Sequence, residues 1–379
     1  MRVYIGACGI GLGHAGQMLC VAQELKGVEI LFSSYGRAVQ YIRGEGYGVV
    51  QSPKIGWRES DGLPDATATL LLAGPLLLQS ARQIWAEIAA MKEFRADVVL
   101  SDARYSTILA ARKLRIPFAL VTHQISFELP RMPFRALWEG GTTMLNTIYL
   151  SDKRILVPDL PPPHTIAAGS LRFKTPLPLE YVGFVMRPLP HDLPSPEEAK
   201  ESLGFDAQPL VYAALRGDAD RIAAPILEGL KRSGCNALVV LGKHGESISR
   251  MDEKIRIANW IEERALALRA ADLVIVRGGH RTLSEVAMHG KPALVVPMAS
   301  QPEQRINARG FAAIGCGKVI EEGEISAAVV ERAVRAMLTN DRWSAAAEAL
   351  GSLAAQFDGA RRIADIARAL GNSQPDAFS

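Results

Sequence analysis

The stretch AADLVIVRGGHRTLSEVAMHGKPALVVPMASQPEQRIN, residues Ala271–Asn307, decides how the chain is read. Leu273–Val276 is an apolar run of strand length, broken by Gly278–Gly279. Thr282–His289 carries helical spacing, Gly290 and Pro292 stop it, and Ala293–Val296 is a second apolar run. Strand, glycine turn, helix and strand make a βαβ unit with parallel strands. The turn and the helix start aim bare N–H groups at whatever lies beyond the strand end, which is a place for phosphate.

The bounds around this unit are set by size and composition. A chain of 379 residues exceeds what one core normally supports, so two domains are expected. With 48% hydrophobic and 22% charged residues it is an ordinary globular α/β composition. A formal charge of +3 is too small to argue for nucleic acid. Cys8, Cys20, Cys235 and Cys316 lack CxxC or zinc spacing, which suits buried thiols in a reducing compartment. The chain enters a strand at once, without a basic-then-apolar leader. Its longest apolar run, Leu70–Leu78, is interrupted by Gly74 and Pro75 and is too short to span a bilayer. A cytoplasmic protein is expected.

At the N-terminus, Arg2–Ala7 reads as a buried strand, Gly9-Ile10-Gly11-Leu12-Gly13-His14 as a turn, Ala15–Leu25 as a helix and Glu29–Phe32 as the next strand. Gly11, Gly13 and Gly16 also match the dinucleotide fingerprint. An NAD site, however, wants an acid after the second strand, where Ser33-Ser34-Tyr35-Gly36-Arg37 stands, leaving only NADP. His14 sits where the turn meets the helix, and the helix dipole there disfavours its protonated form. It is either a neutral imidazole placed to take a proton from a hydroxyl or a helix cap. Val98–Asp102 is another buried strand, ending in a carboxylate. Asp102 could orient His14 as the third member of a triad does, or cap the helix holding Ser106–Arg112. Pro117–Thr122 is a further strand, with His123 at its end as an acceptor-facing or a structural residue.

Two apolar stretches, Ile55–Leu78 and Phe127–Leu145, suit either core packing or contact with a membrane surface and a lipid-linked substrate. Prolines crowd Leu177–Ser195 and mark a linker. The expected organisation is an N-terminal domain over 1–187, a C-terminal domain over 195–355, and a helix over 356–379 packing back toward the first domain. The second α/β series runs through strand Leu210–Leu215, turn Arg216-Gly217-Asp218, a helix over Asp220–Arg232, and strands Ala237–Leu241 and Lys254–Ala258. Asp218-Ala219-Asp220 mimics the DxD of metal-dependent sugar transferases, but acids opening a helix are better explained as caps. Arg342–Leu370 is amphipathic helix with a break near Phe357–Gly359.

Two Rossmann-like halves, a first-loop GxGxGH and a late RGGxxTxxE…GKP…VP…EQ…N pattern resemble GT-B glycosyltransferases, over the full length. The resemblance is nearest to the branch holding the peptidoglycan N-acetylglucosaminyltransferase and the UDP-glycosyltransferases. It implies an α/β GT-B fold, two Rossmann-like domains with parallel sheets facing across a cleft. It implies His14 as base for an acceptor hydroxyl, Asp102 as its partner, and Gly11, Gly13 and His123 on the acceptor side. Arg216, Gly217, Arg277, Gly278, Gly279, His280 and Thr282 match the donor diphosphate site, although plant and animal members often have histidine where Arg277 stands. Glu285 matches the ribose-binding carboxylate, or is a plain helix-face acid. Trp260 and Ile261 match the segment framing the base, or Trp260 is core. Gln301, Glu303 and Gln304 match the sugar-binding edge, with spacing after Pro297 two residues longer than in the plant signature.

The implied activity is transfer of a sugar from a nucleotide-diphosphate donor, UDP-linked, to an acceptor hydroxyl, without metal or other cofactor. The implied partners are a nucleotide sugar and a hydroxyl acceptor, lipid-linked if the enzyme works at the inner face of the cell membrane in envelope or glycolipid synthesis. A GT-B sugar-nucleotide 2-epimerase is the enzymatic alternative and would need carboxylates around the sugar ring. A non-catalytic sugar-nucleotide-binding protein is the other, and it would have no use for His14 and Asp102.

Overall fold

The computed structural model describes residues 1–10, 12–54, 59–60, 63–64, 73–126, 154–172, 178–215, 219–242, 248–250 and 253–373. Gly11, Arg216 and Gly217, all of Phe127–Leu145 and most of Ile55–Leu78 lie outside the described residues. The chain divides into two compact units. One comprises Met1–Leu160, Ser170–Met186 and Asp358–Ser379, the other Pro161–Gly169 and Arg187–Phe357.

The first unit is built on β1 (Arg2–Ala7), β2 (Glu29–Ser34), β3 (Gly48–Gln51), β4 (Val98–Asp102), β5 (Phe118–Val121), β6 (Arg154–Val157) and β7 (Leu179–Tyr181). They form one parallel sheet in the order β3-β2-β1-β4-β5-β6-β7. Helices α1 (Gly13–Glu24), α2 (Arg37–Gly44), α3 (Ala73–Phe94) and α4 (Tyr105–Leu114) return the chain between strands. Both faces of such a sheet are covered, so its strands read as unbroken apolar runs rather than alternating ones. Side chains still alternate between faces: Val3, Ile5, Val98 and Leu100 join the cluster under α1, whereas Tyr4 and Val99 join the one under α3 and α4.

One polar group enters that second cluster. Tyr4 OH donates to Glu87 Oε2 at 2.7 Å, while Glu87 Oε1 accepts from Ser33 at 2.7 Å, Ser52 at 2.8 Å and Arg104 Nη2 at 2.5 Å. Glu87 and Arg104 are both buried. Burial pushes the Tyr4 phenol far above its ordinary value, so it serves as a donor at any physiological pH. This network pins α3 to the carboxyl ends of β2, β3 and β4.

The second unit opens with α5 (Pro196–Ser202), held by a Ser195–Glu198 capping box. Its strands are β8 (Leu210–Ala214), β9 (Asn236–Val240), β10 (Ile248–Arg250), β11 (Ile255–Ala258), β12 (Leu273–Val276), β13 (Ala293–Val295) and β14 (Gly317–Val319). The order is β10-β11-β9-β8-β12-β13-β14, parallel except that edge strand β10 runs antiparallel to β11. Its helices are α6 (Ala219–Ser233), α7 (Arg264–Ala270), α8 (His280–Met288), α9 (Pro302–Ala313), α10 (Ala327–Thr339) and α11 (Arg342–Ala354). A last helix, α12 (Gly359–Gly371), is capped by Asp358, which accepts from Arg361 N–H at 3.1 Å. Ile363, Ala364, Ile366 and Ala367 of α12 share the core of α1 in the first unit. Among the described residues no helix is long and apolar enough to cross a membrane.

Removing one partner of a buried ion pair strands the other. Arg104→Met is therefore expected to cost about 3–5 kcal/mol, read as a lower midpoint in equilibrium urea unfolding. A wild-type midpoint would show that Glu87 is satisfied without it.

Candidate active site

Each sheet reverses its strand order once. In the first, β1 leads outward through β2 and β3, and β4 to β7 lie on its other side. In the second, β8 leads outward through β9 and β11, with β12 to β14 on the other side. The connections leaving the two central strands diverge there, and the carboxyl ends of such a pair frame a crevice in open α/β sheets. The candidate residues gather at these two positions.

In the first unit, register pairs Ala7 of β1 with Asp102 of β4. This sets the carboxylate beside the start of α1. Asp102 is fully buried, and Ala103 turns the chain away at φ 50°. His14 Nδ1 lies 3.0 Å from Asp102 Oδ1, and Gln17 Nε2 donates to Oδ2 at 3.4 Å. A carboxylate accepts only, so Nδ1 carries the hydrogen and Nε2 is the basic nitrogen. The N-cap residues of α1 and α4, Leu12 and Arg104, make no side-chain capping hydrogen bond. Asp102 spends its oxygens on His14 and Gln17, so its capping alternative is not realised among the described residues. The His123 ring stacks on His14 with centroids 6.0 Å apart and 17° between planes.

In the second unit, β12 runs into Arg277, Gly278 and Gly279, and α8 starts at His280. Gly278 is dictated by proximity: a Cβ there would lie 2.1 Å from the Gln304 carbonyl oxygen of α9. A Cβ on Gly279 would meet nothing within 4 Å, so the approach to the helix start is open. The N-cap of α8 is Gly279, which has no side chain to cap it, and no acid sits in the first turn. Arg277 is only 5% exposed; its Nη2 donates to Glu322 at 2.9 Å, while Nε and Nη1 are buried without partners among the described residues. Burial raises the Glu322 carboxyl, but hydrogen bonds from Arg277 and from Ala299 N–H outweigh it and hold it below its ordinary value.

Arg264, at the start of α7, donates to Thr282 Oγ1 at 3.2 Å and lies 2.8 Å from Glu285 Oε2. Glu285 Oε1 accepts from Arg281 at 3.0 Å. Glu285 is therefore not a solvated helix-face acid. His280 is buried. Gln304 is fixed at both ends of its amide, accepting from Met298 N–H at 3.0 Å and donating to Gln301 at 2.8 Å. Asn307 donates to Gly278 O and to Glu303, both at 3.2 Å. Trp260, just past β11, is 40% exposed and is not core; Ile261 beside it is half-buried.

Residues 240–363 match the glycosyltransferase family 28 C-terminal domain. An uncharacterized glycosyltransferase of Methanosarcina acetivorans is 26% identical over 96% of this chain and 97% of its own. The UDP-N-acetylglucosamine–N-acetylmuramyl-(pentapeptide) pyrophosphoryl-undecaprenol N-acetylglucosamine transferase of Clavibacter sepedonicus is also 26% identical, over 99% and 98%. Among solved structures, the glycotransferase of kitacinnamycin superposes with a TM-score of 0.71 at 16% identity, covering 97% of this chain and 98% of that one. The protein is a glycosyltransferase of the GT-B fold.

Three participants in this glycosyltransferase carried no signal in the sequence. Gln17, Arg264 and Glu322 belong to no motif, and they reach their partners across 85, 18 and 45 residues respectively. Only folding brings them in. Gln17 lies one helical turn beyond His14, so its face could have been anticipated once His14 was singled out.

A methyl group at Gly278 has backbone in its way. Gly278→Ala is expected to push the β12–α8 turn off α9 and destabilise the chain by about 1–3 kcal/mol, with nucleotide affinity falling in parallel. Unchanged thermal unfolding and affinity would show that the turn yields without cost.

Proposed function

We propose that the enzyme transfers a sugar from a UDP-linked donor to an acceptor hydroxyl, with His14 as the base. The observation that carries this reading is the 3.0 Å contact between His14 Nδ1 and the buried Asp102. Asp102 holds the ring in one tautomer and stabilises the imidazolium that forms. The acceptor proton passes to His14 Nε2, the bond from acceptor oxygen to the sugar's anomeric carbon forms, and the bond from that carbon to the diphosphate oxygen breaks. His123, stacked on His14, and Gly13 line the acceptor side.

The departing diphosphate is stabilised in the second unit by the uncapped start of α8 at Gly279, His280 and Thr282, and by Arg277. These donors supply the charge compensation, so no protein-bound metal is invoked; Arg216 and Gly217, beyond β8, would close on the same phosphates. Glu285, steadied by Arg264 and Arg281, accepts the ribose hydroxyls. Trp260, exposed beside Ile261, offers its face to the base. At the sugar edge Gln304 is buried and engaged at both ends of its amide, and Glu303 accepts from Asn307. Gln301 is exposed at the start of α9 and, among the described residues, its side chain is engaged only through its oxygen, which favours it as the sugar's contact.

UDP as the nucleotide rests on the peptidoglycan-type relative, whose name also includes a lipid-linked acceptor. The exposed Leu78 (55%) and Trp85 (68%), two turns apart on α3, suit a peripheral contact with the membrane holding such an acceptor.

A panel of nucleotide sugars, followed for UDP release with and without lipid and sugar acceptors, tests the activity. Acceptor-dependent release is expected, and an epimerised donor would sink the transferase reading. His14→Ala is expected to lower kcat by about 10²–10⁴-fold while donor affinity holds. Wild-type turnover in that variant would remove His14 from the base role.

A further inference from the structure

Glu322 follows β14, on a short 3₁₀ turn over Glu322–Glu324, and nothing in its local sequence distinguishes it from its acidic neighbours Glu321 and Glu324. Its position in the fold does. Its Oε1 accepts from Arg277 Nη2 at 2.9 Å, and Arg277 stands at the end of β12, in the diphosphate turn. Its Oε2 accepts from Ala299 N–H at 2.8 Å, and Ala299 lies in the loop between β13 and α9. One carboxylate therefore ties together the carboxyl ends of three adjacent strands.

The loop it holds is the one that delivers Gln301. Gln301 N–H donates to Met298 O at 3.0 Å, closing a turn with Ala299 at its second position, and Arg305 grips Ala299 O at 3.3 Å from the other side. The guanidinium it holds has donors to spare: among the described residues Nε and Nη1 of Arg277 are buried without partners, which suits a further anion. Arg221, at the start of α6, adds positive charge near Glu322.

We infer that Glu322 is a positioning residue that sets the sugar-binding loop in register with the diphosphate turn, so that the donor's sugar and its phosphates are read as one rigid object. The inference rests on the donor site proposed above. It makes a distinction a merely stabilising ion pair would not make. Loosening the link should spare recognition of the nucleotide and weaken recognition of the sugar attached to it.

The test is calorimetric titration of the full chain with UDP and with UDP-N-acetylglucosamine. Glu322→Gln keeps the shape but leaves one acceptor oxygen for two donors. Ala299→Pro suits the second position of the turn, lacks the N–H, and cuts only the loop's arm. In both variants UDP affinity is expected to stay within about threefold of wild type, while affinity for the nucleotide sugar falls about tenfold, the loss of one charge-assisted hydrogen bond. Melting within about 3 °C of wild type certifies the fold, and if Glu322→Gln fails to fold, Ala299→Pro decides. Variants that keep the wild-type ratio of the two affinities overturn the positioning role and leave the donor site standing. A wild-type protein that binds neither compound overturns both.

Discussion

Parallel strands cannot be joined by tight turns, so the parallel neighbours in these sheets need crossover returns over one face or the other. Where the strand order reverses, the returns depart in opposite directions and leave the carboxyl ends of two neighbouring strands uncovered. The chain does this twice, at β1/β4 and at β8/β12. Each position receives a glycine-bearing turn from one strand and a charged residue from a strand end. Asp102 and His14 meet at the first; Arg277 and the start of α8 meet at the second. The chemistry differs because the residues differ, not because the scaffold does.

Charge near these positions is matched locally. The buried Glu87 and Asp102 pair with Arg104 and His14, and the half-buried Glu322 and Glu285 pair with Arg277 and with Arg264 and Arg281. Desolvated ions of this kind add little net stability, but losing one partner is costly, so they hold geometry more than they hold the fold together. Orientation is what the proposed base and the proposed diphosphate site need. Among the described residues, Arg277 keeps two buried donors, Nε and Nη1, without hydrogen-bond partners, which supports the anion role proposed for it.

Much of this was legible in the sequence where the signal is local. The run Leu273–Val276 is β12 to the residue, and the break near Phe357–Gly359 separates α11 from α12. Helix α8 begins two residues earlier than the apolar spacing places it, because Gly279 rather than Thr282 ends the turn. The antiparallel edge strand β10 was not foreseen, since a three-residue strand carries too little periodicity to register its direction. His14 and Asp102 were visible because a glycine loop and a strand end advertise them. Glu322, Arg264 and the Tyr4–Glu87–Arg104 network were not, because an ion pair between distant residues leaves no mark on either neighbourhood.

Locating bound UDP in a crystal of the full chain tests the division of labour between the two switch points. The diphosphate is expected at the N-terminus of α8, against Gly279 and within reach of Arg277, with the ribose toward Glu285. Diphosphate bound instead at the Gly9–Gly13 turn before α1 would contradict that division, because the turn assigned here to the acceptor would then be the phosphate site.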